Sequence, residues 1–252
     1  MYEAAWSTLL DDAGGATDAR SLHLAGSVVV LGLAEPERFA PGALSSRLFA
    51  DALPVEQRLE LAGAMAAVPV EPTGLLVARL AAADESERAV AARALGAPCH
   101  QKACARLRQA AQDDHALVRL SALQALSAIG DATATATAIA ALDDCDARVR
   151  RAAVAALPAL AGSAARGALL RAVGDHDVDV RCACLAALML MGGLEARSAG
   201  RGALADSAPE ARALAVQLLA RQGHHDDAAT LVDDPDPRVQ RAVKEARQRA
   251  LA

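Results

Sequence analysis

Residues 143–162 read DDCDARVRRAAVAALPALAG. An acidic knot is followed by Val-Arg, then by small and aliphatic residues, and the arrangement returns along the chain at a fixed distance. Arg88, Arg119, Arg150, Arg181 and Arg212 follow one another at steps of 31 residues. Six residues before four of them stands an aspartate: Asp113, Asp144, Asp175 and Asp206. A last copy carries Asp234 with Gln240 in the arginine place, 28 residues after Arg212, and a looser one carries Arg58, 30 residues before Arg88. A fixed period of roughly 20–50 residues is the mark of stacked supersecondary units.

Each period predicts two helices. In DDHALVRLSALQALSAIGD the acids Asp113 and Asp114 are placed to cap the helix that follows, where orphan N–H groups and the positive end of the dipole favour a carboxylate. Apolar or small residues then recur at helical spacing: Val118, Ala122, Leu123, Leu126 and Ile129. The same phase gives Val149, Ala153, Val154, Leu157 and Leu160, then Val180, Cys184, Leu185, Leu188 and Met191. Gly130, Gly162, Gly192 and Gly223 end these helices. Shorter Ala-rich helices, such as 132–142 and 164–173, lie between them. One such pair cannot bury its own stripe and a stack can, so the fold expected is an all-α, right-handed α-solenoid of antiparallel helix pairs. Residues 1–41 depart from the pattern, with helices at about 2–12 and 18–33 reading as a degenerate N-terminal cap and AEPERFAPGA as a Pro-rich loop. About six repeats follow over 42–252, best defined over 84–250, with 236–252 as a polar, basic C-terminal cap.

Composition narrows the function. The formal charge of −5 attracts neither phosphate nor an anionic membrane. The longest apolar runs are too short to span a bilayer, and the N-terminus has no secretory pattern. Five cysteines in an odd, scattered set give no disulfide framework and predict a reducing cytoplasm. Tyr2, Trp6, Phe39 and Phe49 are the whole aromatic set, all in the first fifth of the chain. Trp6 and Phe49 read as plugs for one end of the core, although a second binding site there stays open.

The Asp, the Val-Arg and the Ala-x-x-Ala-Leu that follows resemble the HEAT repeat, in the short bacterial form also found in phycobilin lyase subunits. The resemblance covers 84–250 well and 42–83 weakly. It implies a ladder of aspartates and arginines tying adjacent repeats together, assigned to Asp113/Arg119, Asp144/Arg150, Asp175/Arg181 and Asp206/Arg212. It also implies that the exposed stripe of the second helices lines the concave side.

That stripe falls one, five, eight and nine residues after each ladder arginine. It contains Leu120, Gln124, Arg151, Ala155, Cys182, Met189, Leu190, Gln217 and Arg221, and it is less polar than a solvated face. Leu120, Cys182, Met189 and Leu190, flanked by Arg151 and Arg221, look like a surface for a partner helix or peptide. Pro158 removes a backbone bond to the carbonyl of Val154 and is expected to bend its helix.

Other chemistry is weakly represented. The in-register arginines could follow a phosphate backbone, but each carries an acid, which argues against nucleic acid. An extruded base would need aromatic stacking, and the repeats contain no aromatic residue. His224-His225-Asp226-Asp227, His115, Cys145 and His176 bear ligand atoms without a zinc spacing. Cys99 and Cys104 point to different helix faces, and Cys184 is in the buried phase while Cys182 is not. No His-Glu pair of the kind used by HEAT-type di-iron hydroxylases occurs. There is no Gly-rich phosphate loop or nucleophile elbow. A non-catalytic protein-binding scaffold without cofactor or resident metal is the expectation. Two alternatives stay open: a ligand-holding subunit of the phycobilin-lyase type, with a small molecule in the groove, and a HEAT-like nucleic-acid-binding protein.

Overall fold

The computed structural model describes Phe49 and residues 54–65, 73–160 and 163–251. The helices expected at 2–12 and 18–33, the aromatic residues Tyr2, Trp6 and Phe39, and Gly162 lie outside the described residues. Every regular element among the described residues is helical. They belong to two compact units, one ending at Asp131 and one beginning at Ala132.

The first unit contains α1 (Val55–Met65), α2 (Thr73–Arg79), α3 (Glu85–Ala94), a 3-10 segment Pro98–Ala103, α4 (Cys104–Ala110) and α5 (Ala116–Ile129). The second contains α6 (Thr135–Ala140), α7 (Ala147–Leu160), α8 (Ser163–Ala172), α9 (Val178–Met191), α10 (Leu194–Ala203), α11 (Pro209–Arg221), α12 (His225–Ala228) and α13 (Pro237–Leu251). In the first unit, α3 packs between α1 and α5, with α2 against α3 and α4 against α5. In the second, α7, α9, α11 and α13 form one stacked layer, each against the next. Helix α8 lies on α9, and α10 on α11.

The stripe predicted for each second helix is what the layer buries. Val118, Ala122, Leu123, Leu126 and Ile129 are buried on α5, and Val149, Ala153, Val154, Leu157 and Leu160 on α7. On α9, Val180, Cys184, Leu185 and Leu188 are buried, while Met191 at the helix end is half-buried. Each such leucine contributes roughly 1.5–3 kcal/mol by leaving water, more than its helix propensity supplies. Small residues set the spacing. A methyl built on Gly200 would stand 2.9 Å from Leu218 Cδ2 and 3.1 Å from Leu219 Cγ, so α10 reaches α11 only because residue 200 has no side chain. Gly130 closes α5 in the left-handed conformation at φ 72°, and Gly192 and Gly223 also stand at positive φ.

Two local expectations need correction. The helix expected over 132–142 is broken into a 3-10 turn Ala132–Ala134, the short α6 and a second 3-10 turn Ala141–Asp143. Its Thr-rich run is stiff at χ1 and a poor helix former, and so short a segment gains little from propagation. Asp113 does not cap α5. The cap position belongs to His115, without a side-chain cap bond, because the Asp113 carboxylate accepts from the His115 N–H at 2.9 Å and from Arg88. Side-chain capping does occur elsewhere: Asp84 accepts from the Glu87 N–H of α3, and Asp177 from the Asp179 and Val180 N–H groups of α9. Pro158 stands inside α7, as the sequence places it.

Candidate functional site

The recurring arginine does two things at once. Arg150 donates through Nε and Nη2 to Asp175 Oδ2 and Oδ1 at 2.7 and 2.8 Å. Its Nη1 donates to the main-chain carbonyl of Asp144 at 2.9 Å. Arg181 repeats this on Asp206 and the carbonyl of Asp175, and Arg212 on Asp234 and the carbonyl of Asp206. In the first unit Arg88 pairs with Asp113 at 2.9 and 3.0 Å. For Arg150, Arg181 and Arg212 the ion pair therefore runs to the aspartate of the next repeat, while the aspartate of the arginine's own repeat is gripped by its main-chain carbonyl. Arg119 makes the backbone half of this pattern, donating through Nη1 to the carbonyls of Asp113 and Asp114, both at 2.9 Å. The carboxylate of Asp144 accepts from the Asp146 N–H at 2.9 Å.

The electrostatics follow from the geometry. Burial alone would push the carboxyls of Asp113 and Asp175 up, but the forked hydrogen bonds from Arg88 and Arg150, with help from backbone N–H groups, hold both below the usual carboxylate range. In Asp206 and Asp234 the arginine hydrogen bond is the leading cause, and both are held low. Arg88, Arg150, Arg181 and Arg212 are correspondingly raised, first by the bond to the carboxylate. With Nε, Nη1 and Nη2 all engaged and Arg150 only 4% exposed, these arginines are structural ties and not a phosphate track. The series changes at its ends. Among the described residues Arg58 Nε is buried without a hydrogen-bond partner, and the place 25 residues on is Ala83. Gln240 donates through Nε2 to the Asp234 carbonyl at 2.8 Å, keeping the backbone half of the arginine's role with a neutral group.

The stripe singled out in the second helices divides between the units. On α5, Leu120 and Gln124 are half-buried, and Gln124 Oε1 accepts from Arg93 Nη1. In the second unit Arg151, Ala155, Leu190 and Arg221 are exposed, while Cys182, Met189 and Gln217 are half-buried. Ala220, read as part of the same stripe, is buried. Arg151 lies 3.9 Å from Asp179 of α9, so its charge is partly countered. Leu190 is 74% exposed, and Leu194, four residues on across the Met191-Gly192-Gly193 turn, is 82% exposed. Leu194 was not predicted, because it starts a first helix and so falls outside the second-helix register. Arg166 fixes the turn by donating through Nη2 to the Met191 carbonyl at 3.1 Å.

The other candidates have structural surroundings. His224 holds the N-cap place of α12, and Asp227 is shared by Arg197 and Arg201. Among the described residues no group of three or more His, Cys, Asp or Glu is arranged to hold a metal ion. His176 is exposed and places Nε2 3.0 Å from Arg150 Nη2. Cys184 is buried and its thiol is pushed up to about 12, and burial pushes that of Cys104 up to about 11. Arg79 sits over the Phe49 ring, 4.8 Å from its centroid. No described helix is long and apolar enough to cross a membrane.

Comparison with known proteins gives a consistent picture. No curated protein matches the chain. The YibA protein of Escherichia coli, at 16% identity, superposes with a TM-score of 0.64 over 87% of this chain and 95% of its own. The CpcE–CpcF complex of phycocyanin lyase from Nostoc sp. PCC7120 gives 0.54 at 22% identity, over 69% and 75%. A designed armadillo repeat protein in complex with the peptide (KR)4 gives 0.51 at 18% identity, over 70% and 98%. At these identities the likeness is one of fold: an all-α repeat solenoid. The model of the HEAT repeats matches residues 73–157 and 135–220. The chain is a member of the HEAT-repeat family.

Proposed function

We propose that the chain is a non-catalytic binding scaffold whose second-helix face takes a helix or peptide of a protein partner. In the second unit the face comprises Arg151, Ala155, Cys182, Met189, Leu190, Gln217 and Arg221; in the first it comprises Leu120 and Gln124. The observation that carries the proposal is the exposure of Leu190, at 74%, where the other second-helix leucines of described burial are buried or half-buried. A large aliphatic side chain left in water at the rim of a rigid stack gives a partner apolar area to cover at small ordering cost. Exposed Arg151 and Arg221 would edge that contact with charge. The armadillo protein with its bound peptide supports a partner of this kind.

A photo-crosslinker at position 155, on the same face, tests it. Crosslinked partner should be recovered from cells making the chain with Met189 and Leu190 in place and lost when Met189→Asp or Leu190→Asp is added. Unchanged capture by either variant, with the helical circular dichroism intact, would discard the face. The likeness to a phycocyanin lyase complex leaves a second reading, a tetrapyrrole-holding subunit. Appearance of a bound-bilin absorbance band on mixing bilin with the purified chain would favour it.

A further inference from the structure

In the second unit the residue nine places after the ladder position recurs on consecutive second helices as Ala159 on α7, Leu190 on α9, Arg221 on α11 and Arg249 on α13. All four are exposed. Two observations keep α13 in step although its repeat is shorter. Gln240 holds the carbonyl of Asp234 as Arg212 holds that of Asp206. The residue before the ladder position is fully buried on each helix: Val149, Val180, Ala211 and Val239. The helices pack each against the next, so the four side chains stand in one row. It is apolar over α7 and α9 and cationic over α11 and α13.

The row differs from its surroundings. One place earlier, Pro158 and Met189 are half-buried and Ala220 is buried, so on α7, α9 and α11 the row stands up alone. Arginines elsewhere in the unit engage carboxylates, as Arg148 and Arg150 do on α7 and Arg197 and Arg201 on α10. Among the described residues, Arg221 and Arg249 have no hydrogen-bonded or ion-paired partner. A chain with a net charge of −5 thus leaves two cations open at adjacent places of one row.

We propose that this row docks a protein segment in the polyproline II conformation, which sets an apolar side chain on Leu190 and two carboxylates, three and six residues along, on Arg221 and Arg249. The proposal rests on the protein-binding reading above and names the chemistry of the partner. Charge selects the acids, because an open guanidinium takes a carboxylate as a planar pair. Spacing selects the backbone. Packed helices lie roughly 8–10 Å apart, and a polyproline II chain brings every third side chain back to one edge after about 9 Å. An α-helix, about 10–12 Å wide, would need more than a single row to seat on. A nucleic-acid strand would carry its charge on past Leu190 and Ala159, where the row has no cation.

Fluorescence anisotropy with the full chain and labelled synthetic peptides tests this. On a Pro- and Ser-rich frame, the first peptide carries Leu with Glu at the third and sixth residues to one side, made in both chain directions. A second has Gln for both Glu, and a third has one Glu three residues to each side of Leu. In one direction the first should bind about tenfold tighter than the second, the sum of two exposed ion pairs. It should also bind tighter than the third, whose charge is the same. Arg221→Glu should move the preference to Lys at the third residue, and Arg249→Glu to Lys at the sixth, with the helical circular dichroism unchanged. Equal binding of the first and third peptides, or the same response of both places to Arg221→Glu, would reduce the effect to general attraction and overturn the proposal. A single-stranded oligonucleotide binding more tightly than the first peptide would overturn it in favour of a polyanion. Binding lost with Leu190→Asp but indifferent to Glu would overturn the row and leave the Leu190 face intact. If no peptide binds, the row is discarded, and crosslinking from position 155 decides the face separately.

Discussion

Arg150 holds Asp175 of the next repeat through two hydrogen bonds of 2.7 and 2.8 Å while its third nitrogen reaches back to the carbonyl of Asp144. One side chain thus joins two turns, and its side chain is 5% exposed against 9% for its partner. Replacing Arg150 by Ala strands a carboxylate in a confined place and should cost about 3 kcal/mol in urea unfolding. Arg150→Lys should recover less than half of this, because a point charge cannot reproduce the fork. A loss under 1 kcal/mol for the Ala variant would mean that stacking of the apolar stripes alone holds these repeats together.

Acid should act on the ladder in a defined window. Asp113, Asp175, Asp206 and Asp234 are all depressed in the folded state, so each contributes stability that is complete above its unfolded pKa of about 4. That contribution is lost as pH falls further, through the folded values. Buried His100, whose Nδ1 lies 2.6 Å from Thr73 Oγ1, is also depressed by burial. Its contribution is complete above about pH 6.5 and fades as pH falls from there. Melting temperature should therefore decline in two stages on acidification. His100→Gln should flatten the upper stage and leave the lower one in place.

Thiol accessibility gives an independent check of the core. Cys145 is exposed and should react with a maleimide within the mixing period, ahead of half-buried Cys182. Cys104 and Cys184 are buried with raised thiols and should label only as fast as the chain opens. Mass spectrometry of timed, quenched samples reads the order directly, and early labelling of Cys184 would contradict the packing of α9.

Two glycines of similar local sequence should respond with opposite sign. Gly200→Ala forces a methyl onto Leu218 and Leu219 and should destabilise by about 1–3 kcal/mol. Gly167→Ala, in α8, meets nothing within 4 Å and should stabilise by roughly 0.5–1 kcal/mol through helix propensity. Equal effects at the two positions would show that α10 does not rely on close approach to α11.

The architecture was legible because the aliphatic stripe and the arginine share one period, and burial of a stripe too large for one hairpin leaves stacking as the outcome. Pairing was less legible. Spacing put Arg150, Arg181 and Arg212 six residues after an aspartate, yet each guanidinium reaches that residue's carbonyl and spends its charge on a carboxylate 25 residues ahead, or 22 for Arg212. The choice depends on how the turns of adjacent repeats meet, which no local sequence window contains. The same diversion explains why Asp113 does not cap α5. Leu194 was hidden by belonging to a first helix.

Gln240 gives the ladder a direction. Asp234 takes the fork of Arg212 on its carboxylate and the Gln240 amide on its carbonyl, so charge fastens α13 backwards onto α11. The amide carries no charge forward: it offers a single neutral hydrogen bond where an arginine would offer a forked ion pair, and only a change such as Gln240→Arg would lengthen the ionic series by one step.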